Sequence, residues 1–239
     1  MITNTQTEEP RLRWKRPLVA RFWDYYAQHR PEDYFTRRHG DRIVALTASH
    51  IPAGGCVYDY GCGAGYLTEH LARRFRTRGV DFSPSNIEAT RARLSGSANF
   101  EGAVLANEAQ ASGLVHDAAY LVETVEHLLD EDVDATLATV FTSLRPGGVV
   151  IVTTPNEENL AESDVFCPAC SHTFHRWQHM RRFDANTLIM FMASAGFECM
   201  HTFATDFGQT NPLLLWLRRK FAQRPLPHLV YIGRRPVTG

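Results

Sequence analysis

Cys56-Val-Tyr-Asp-Tyr-Gly-Cys-Gly-Ala-Gly65 decides the fold. The short apolar run at 56–60 ends in a turn with glycine at 61, 63 and 65, and residues 66–75 then carry apolar side chains at helical spacing. A strand that passes through such a turn into a helix brings backbone close to a ligand, and glycine does this without a side chain intervening. Many dinucleotide-binding chains share a related turn, so a second feature is needed. It is Asp81, which ends the next strand-like run at 77–82, roughly 20 residues on. A carboxylate there can accept both hydroxyls of an adenosyl ribose.

The alternation continues outward from these two strands. Ser83-Pro84-Ser85 starts a helix with proline in its first turn, ending near Leu94. Strands follow at 100–105 and 118–122, then a helix at 130–144, a turn at Arg145-Pro-Gly-Gly148, and a wholly apolar or β-branched strand at 149–154 that stops at Pro155. Continuous apolar strands alternating with helices belong to a parallel sheet covered on both faces, a Rossmann-like doubly wound α/β architecture. Asp184 opens a further helix to Ala195, ended by Gly196, and residues 197–203 and 229–233 form the last two strands. Ahead of the first strand, Phe22, Tyr25, Tyr26, Tyr34, Phe35, Ile43 and Leu46 recur at helical spacing. They predict two helices broken near Pro31, within an N-terminal helical cap at 1–50. The main domain runs over 51–239, with residues 156–183 as a Cys- and His-rich insert.

Composition bounds the partners. The 239 residues are 44% hydrophobic and 21% charged, which suits one globular domain with additions and excludes a disordered tail or a collagen-like fibre. With 25 basic against 26 acidic residues, the net charge of -1 supplies no global field for nucleic acid or an anionic membrane. The basic residues are almost all arginine, with lysine only at Lys15 and Lys220. An odd set of five cysteines and no apolar leader lead us to expect a reduced, cytoplasmic protein. No run approaches the ~20 apolar residues of a membrane span. The stretch at 212–221 pairs apolar residues with three positive charges, for docking on a partner or membrane surface, or for packing within the domain or a homodimer.

Residues 57–65, Gly79-Val-Asp-Phe-Ser-Pro84 and Leu144-Arg-Pro-Gly-Gly148 together resemble the signature blocks of class I S-adenosylmethionine-dependent methyltransferases, over about residues 51–203. The resemblance implies a seven-stranded sheet with its last strand antiparallel and a sulfonium cofactor above the glycine turn. It puts Asp59, Gly61, Cys62, Gly63 and Gly65 at the methionine moiety and Asp81 at the ribose. Phe82, Glu123 and Asn107 complete the cofactor set, Asn107 standing where the family often has an acidic residue for the adenine amine. Because a sulfonium already activates its methyl group, such an enzyme chiefly aligns a nucleophile and deprotonates it when necessary.

Function therefore turns on the acceptor site. Glu123-Thr-Val-Glu126-His127 follows strand four, at the carboxyl end of the sheet where ligands of open α/β folds lie. If the segment turns helical, Glu123, Glu126 and His127 stand at i, i+3 and i+4 and converge on one cation. Hard oxygen donors with imidazole suit magnesium, manganese or iron(II). The other two roles open to His127 are a metal-free base and a packed residue. The Glu-x-x-Glu-His form resembles the ubiquinone-biosynthesis catechol O-methyltransferases and the RNA 3′-terminal 2′-O-methyltransferases, whose metal takes a further ligand from later in the chain. Here that ligand is His179, with His175 in reserve.

The insert admits a second metal. Cys167 and Cys170 form C-x-x-C and, with His172 and His175, make a compact zinc knuckle; otherwise the cysteines belong to a substrate lid. Arg176, Arg181 and Arg182 either hold an anionic group of the acceptor or form a solvated face. The expected protein is an O-methyltransferase assisted by Mg2+ or another divalent ion on Glu123, Glu126, His127 and His179. Its acceptor is a small molecule or saccharide with vicinal oxygens, and His127 or His179 serves as catalytic proton acceptor. The rivals are an RNA 3′-terminal 2′-O-methyltransferase, disfavoured by neutral charge; a metal-free methyltransferase using His127 as base; and a cofactor-binding scaffold without activity.

Overall fold

The computed structural model describes residues 10–111, 113–209, 211–221 and 225–237. The chain enters through α1 (Arg16–His29) and α2 (Phe35–Thr47), separated by a 3-10 turn at Pro31–Asp33 where proline cannot continue a helix. Then β1 (Cys56–Tyr60), α3 (Tyr66–Ala72), β2 (Arg76–Asp81), α4 (Pro84–Arg93), β3 (Phe100–Leu105) and the short α5 (Ala106–Ala111) complete the first half. Next come β4 (His116–Val122), α6 (Asp130–Ser143) and β5 (Leu144–Pro155), then a small hairpin of β6 (Asp164–Cys167) and β7 (His172–His175). The chain closes with α7 (Ala185–Ser194), β8 (Glu198–Thr205), α8 (Pro212–Phe221) and β9 (His228–Arg234).

The main sheet has seven strands in the order β3-β2-β1-β4-β5-β9-β8. β9, last in the chain, runs antiparallel to β5 and β8, whereas β1 to β5 pair in parallel. The order reverses between β1 and β4, the crevice where ligands of such sheets bind. Side chains of the central strands alternate between two cores. Ala119 and Leu121 join Val150 and Val152 against Leu137, Val140, Leu188 and Met192 on one face. Tyr120 and Ile151 meet Ile43, Val44, Leu67 and Leu71 on the other. The cap is thus part of the core, and Thr47 fixes it further through a 2.8 Å hydrogen bond to the Tyr120 hydroxyl.

The predicted turn at 145–148 takes another form. β5 is continuous from Leu144, and the irregularity is a bulge: His116 pairs with Leu144 and Ala118 with Val149. Gly147, at φ 76°, lets the extra backbone loop out, and its N–H bonds to Arg235 O at 2.9 Å. The insert is also more ordered than its polar sequence suggests. β6 and β7 pair antiparallel, and N-terminal residues add a further edge, with Leu12 N donating to Thr173 O and Thr173 N to Pro10 O. On α8, Leu213, Leu214 and Trp216 are exposed. Among the described residues no helix is long and apolar enough to cross a membrane.

Gly65 joins the turn to α3 as its N-cap, at φ 81°. A Cβ there would lie 3.0 Å from Thr90 and 3.1 Å from Leu94 Cδ1. Left-handed backbone and crowding combine, so Gly65→Ala should lower the unfolding free energy by about 2–4 kcal/mol. The readout is a lower denaturant midpoint at unchanged slope.

Candidate active site

The glycine turn is held from below by β2. Gly61 N and Cys62 N both donate to Val80 O, at 2.8 and 2.9 Å, and Gly63 N donates to Asp81 Oδ2 at 2.9 Å. Asp81 is buried and also accepts from Ser83 N and Asn86 Nδ2, so its carboxylate is aimed by the start of α4. Tyr34 covers the turn from above: a Cβ on Gly63 would sit 3.0 Å from its ring. α1 is tied to the same corner, with Ser83 and Ser85 hydroxyls donating to Asp24 at 2.7 and 2.8 Å.

A cavity of about 1070 Å³ opens above the turn. Gly61, Cys62, Gly63, Asp81, Phe82, Asn107 and Glu123 line it. Two members of the expected cofactor set do not. Asp59 lies beneath the turn, accepting from Thr68 Oγ1 at 2.6 Å, and Gly65 is taken up in capping α3. Both hold the turn's shape and neither lines the cavity. Burial pushes the Asp59 carboxyl up to about 7.

The far end of the cavity carries the acidic cluster. Beyond β4 the chain does not wind into the helix that would have stacked Glu123, Glu126 and His127. Glu123 instead adopts a left-handed φ of 47°, and a single turn follows, closed by His127 N to Thr124 O at 3.1 Å. Glu123 therefore parts from the other two. It accepts from Thr153 Oγ1 at 2.8 Å and stands 3.9 Å from His228 Nδ1, and burial raises its carboxyl to about 8. Among the described residues, Glu126, His127 and His179 do converge, their ligand atoms all within 4.8 Å of one another.

Glu126 is 1% exposed, and neither carboxylate oxygen has a hydrogen-bond partner among the described residues. Burial, with Glu123 nearby, drives its carboxyl well above the ordinary range. The His127 ring is held well below its ordinary range by burial and by His179, so it is neutral at physiological pH. His179 meets a residue that sequence reasoning missed: its Nδ1 lies 2.5 Å from Glu158 Oε2. Glu158 also lies 3.3 Å from His175, and the two imidazoles facing it hold its carboxyl down at about 2 against its burial. Gln178 was missed as well. Fully buried, it accepts from Trp23 Nε1 at 3.0 Å and donates to His127 O at 2.9 Å, joining cap, insert and cluster. The available signal was position alone, since Glu158 follows the carboxyl end of β5.

The knuckle is not assembled. His172 pairs with Cys167 across the hairpin and Cys170 is exposed, but His175 is fully buried beside Glu158. Residues three apart on a strand face opposite ways, so β7 cannot bring His172 and His175 to one ion. The arginines divide: Arg181 bonds Val125 O at 2.7 Å and Asp130 at 2.6 Å, pinning the insert, while Arg176 lies over Trp177.

A methyltransferase-domain family model matches residues 26–202. The chain is 31% identical over 180 residues to a probable S-adenosylmethionine-dependent methyltransferase of Mycolicibacterium smegmatis, covering 74% of this chain and 64% of that protein. It is 32% identical over 151 residues to a ubiquinone biosynthesis O-methyltransferase of Agrobacterium fabrum, covering 58% and 60%. It thus spans less than two thirds of the length of these relatives. In fold it is similar to an S-adenosylmethionine-dependent methyltransferase structure from Clostridium acetobutylicum, with TM-score 0.63 at 13% identity, covering 90% of this chain and 98% of that one.

Asp59 lends the turn a pH signature. Its carboxyl titrates near 7 when folded against 3.8 ordinarily, so the unfolded chain releases its proton first and stability is lost as pH rises from about 4 to about 7. Between pH 5 and 7, wild-type stability should fall more steeply than that of Asp59→Asn, by up to about 1.4 kcal/mol per pH unit. Denaturant unfolding at the two pH values measures the difference.

Proposed function

The chain belongs to the class I S-adenosylmethionine-dependent methyltransferases, and we propose that it is an O-methyltransferase assisted by a divalent cation on Glu126, His127 and His179. The observation that carries this reading is Glu126, a buried carboxylate with two unpartnered oxygens beside the imidazoles of two histidines. Burying an unpaired carboxylate is expensive, and a cation removes the cost. One oxygen and two imidazole donors match the two-histidine, one-carboxylate sets that take Fe2+ or Zn2+ and admit Mn2+, whereas Mg2+ favours oxygen donors. When bound, such a cation orients an acceptor hydroxyl and lowers its pKa.

The cofactor end fits as well. Gly61 and Gly63 expose backbone at positive φ, Asp81 is aimed toward the cavity corner, and Phe82 and Asn107 supply a further wall. S-adenosylmethionine supplies the activated methyl group, and the chain supplies alignment and proton removal. His127 is neutral with Nε2 3.8 Å from Glu126, so that nitrogen's lone pair is open to a cation or, where no cation is bound, to the acceptor proton. Trp23, Tyr26 and Trp177 line the same cavity from the cap and the insert and keep water from it. One cavity lined by the turn and by His127, His179 and Glu158 supports a small acceptor, and two adjacent oxygens on it would suit a cation held by Glu126 and those histidines. The relative's name supports oxygen as the methylated atom. The neutral balance of 25 basic and 26 acidic residues weighs against RNA.

Transfer of labelled methyl to catechol and sugar-diol panels, with and without chelator, tests this. Chelation should lower kcat/KM roughly 100-fold or more, with recovery on adding Mn2+. Glu126→Ala should lose activity similarly while still binding the cofactor product in calorimetry. Undiminished transfer after thorough chelation would remove the cation and leave His127 as a lone base.

A further inference from the structure

We propose that Glu158 and the buried His175 form a positioning pair that sets the tautomer of His179, leaving its Nε2 as the lone-pair nitrogen presented to Glu126 and His127. The inference rests on His179 serving as ligand or base in the function proposed above.

The argument starts from two backbone donors. Trp177 N lies 3.3 Å and His179 N 3.2 Å from His175 Nδ1, and both donate to it. A ring nitrogen that accepts from two N–H groups carries no proton, so the ring hydrogen of neutral His175 is on Nε2. That Nε2 is fully buried with no hydrogen-bond partner among the described residues, and the atom facing it is Glu158 Oε1 at 3.3 Å. A slight closing of this gap gives His175 Nε2–H an acceptor. The same carboxylate's second oxygen stands 2.5 Å from His179 Nδ1. An ionised carboxylate only accepts, so His179 Nδ1 carries the proton, which in the neutral ring leaves the lone pair on Nε2.

The geometry holds the two rings in register. They stack with centroids 4.3 Å apart and planes 21° from parallel, and the His179 ring lies 4.8 Å from that of His127. The hairpin brings His175 in, the segment after β5 brings Glu158, and the backbone bend at Gln178, φ 62°, returns His179 beneath His175. A carboxylate behind a ligating imidazole fixes ring orientation and raises basicity, and its removal costs 10–100-fold in metal affinity elsewhere.

Long-range proton–nitrogen spectra of the 15N-labelled, metal-free full chain read the tautomers directly. The expected result is His175 protonated at Nε2 and His179 at Nδ1, with His179 losing the Nδ1–H form in Glu158→Ala. Mn2+ titration by calorimetry should show affinity reduced about 10–100-fold in Glu158→Ala, and less in Glu158→Gln, which retains one acceptor. Unfolding curves check that each variant is folded; if Glu158→Ala is not, Glu158→Leu, which fills the space without an acceptor, carries both readouts. A His179 protonated at Nε2 in the wild type, or a tautomer or Mn2+ affinity unchanged in the folded variant, overturns the proposal. If the wild type binds no Mn2+ yet the tautomer shifts in the variant, the positioning pair stands and the cation falls.

Discussion

A carboxylate removed from water must be paired, protonated or bound to a cation, and Glu126 is removed almost completely. Much of the surrounding architecture maintains that removal. Glu126 O accepts from Met180 N at 2.8 Å, so the backbone of the insert lies directly over it. Gln178 clamps the His127 carbonyl below and Trp23 of α1 above, and Arg181 grips Val125. The cap and insert are distant in sequence from β4, yet each contributes a side that excludes solvent. A buried carboxyl with so few partners is a local conflict between stability and burial, and such conflicts are where function concentrates.

The two ends of the cavity are built on different principles. At the glycine turn, backbone geometry dominates: positive φ at Gly61 and Gly63, N–H groups tied to Val80 and Asp81, and a buried Asp59 bracing the turn. At the acceptor end, side chains dominate, gathered from the turn after β4, the segment after β5 and the hairpin. The sheet separates these tasks. β1 and β2 carry the turn, whereas β4 and β5 carry the cluster, and the reversal of strand order between β1 and β4 leaves the crevice that joins them.

Legibility from sequence followed the same division. Elements whose determinants are local were readable: β1 and β3 from apolar runs, the start of α4 from Ser83-Pro84, and α7 from Asp184, whose capping box with Thr187 forms as its residue types suggest. The bulge of β5 was less so, because Arg145-Pro-Gly-Gly148 has turn composition, while pairing with β4 and β9 on either side keeps it in the sheet. Glu126 and His127 stood out by residue type and by their place beyond the strand end, and His179 through the resemblance to families that take a later ligand; the fold brings the three together. Glu123 was grouped with them on helical spacing, and its left-handed backbone sends it to Thr153 instead. His175 stood both in a knuckle and in reserve for the cation because four potential ligands, two Cys and two His, lie close in sequence, but strand alternation parts it from His172.

The sequence by itself determined the sheet, the glycine turn, the acid beyond it and the family resemblance, because each rests on period, backbone freedom or spacing within a few residues. Only the tertiary structure decided which acids and histidines share an environment. Glu158 is 21 residues from His179 and Gln178 is 155 from Trp23, and no local pattern encodes contacts closed over such loops. They arise where the hairpin, the cap and the turn after β4 pack together. A polar side chain's partners there are set by which donors and acceptors remain once water is excluded.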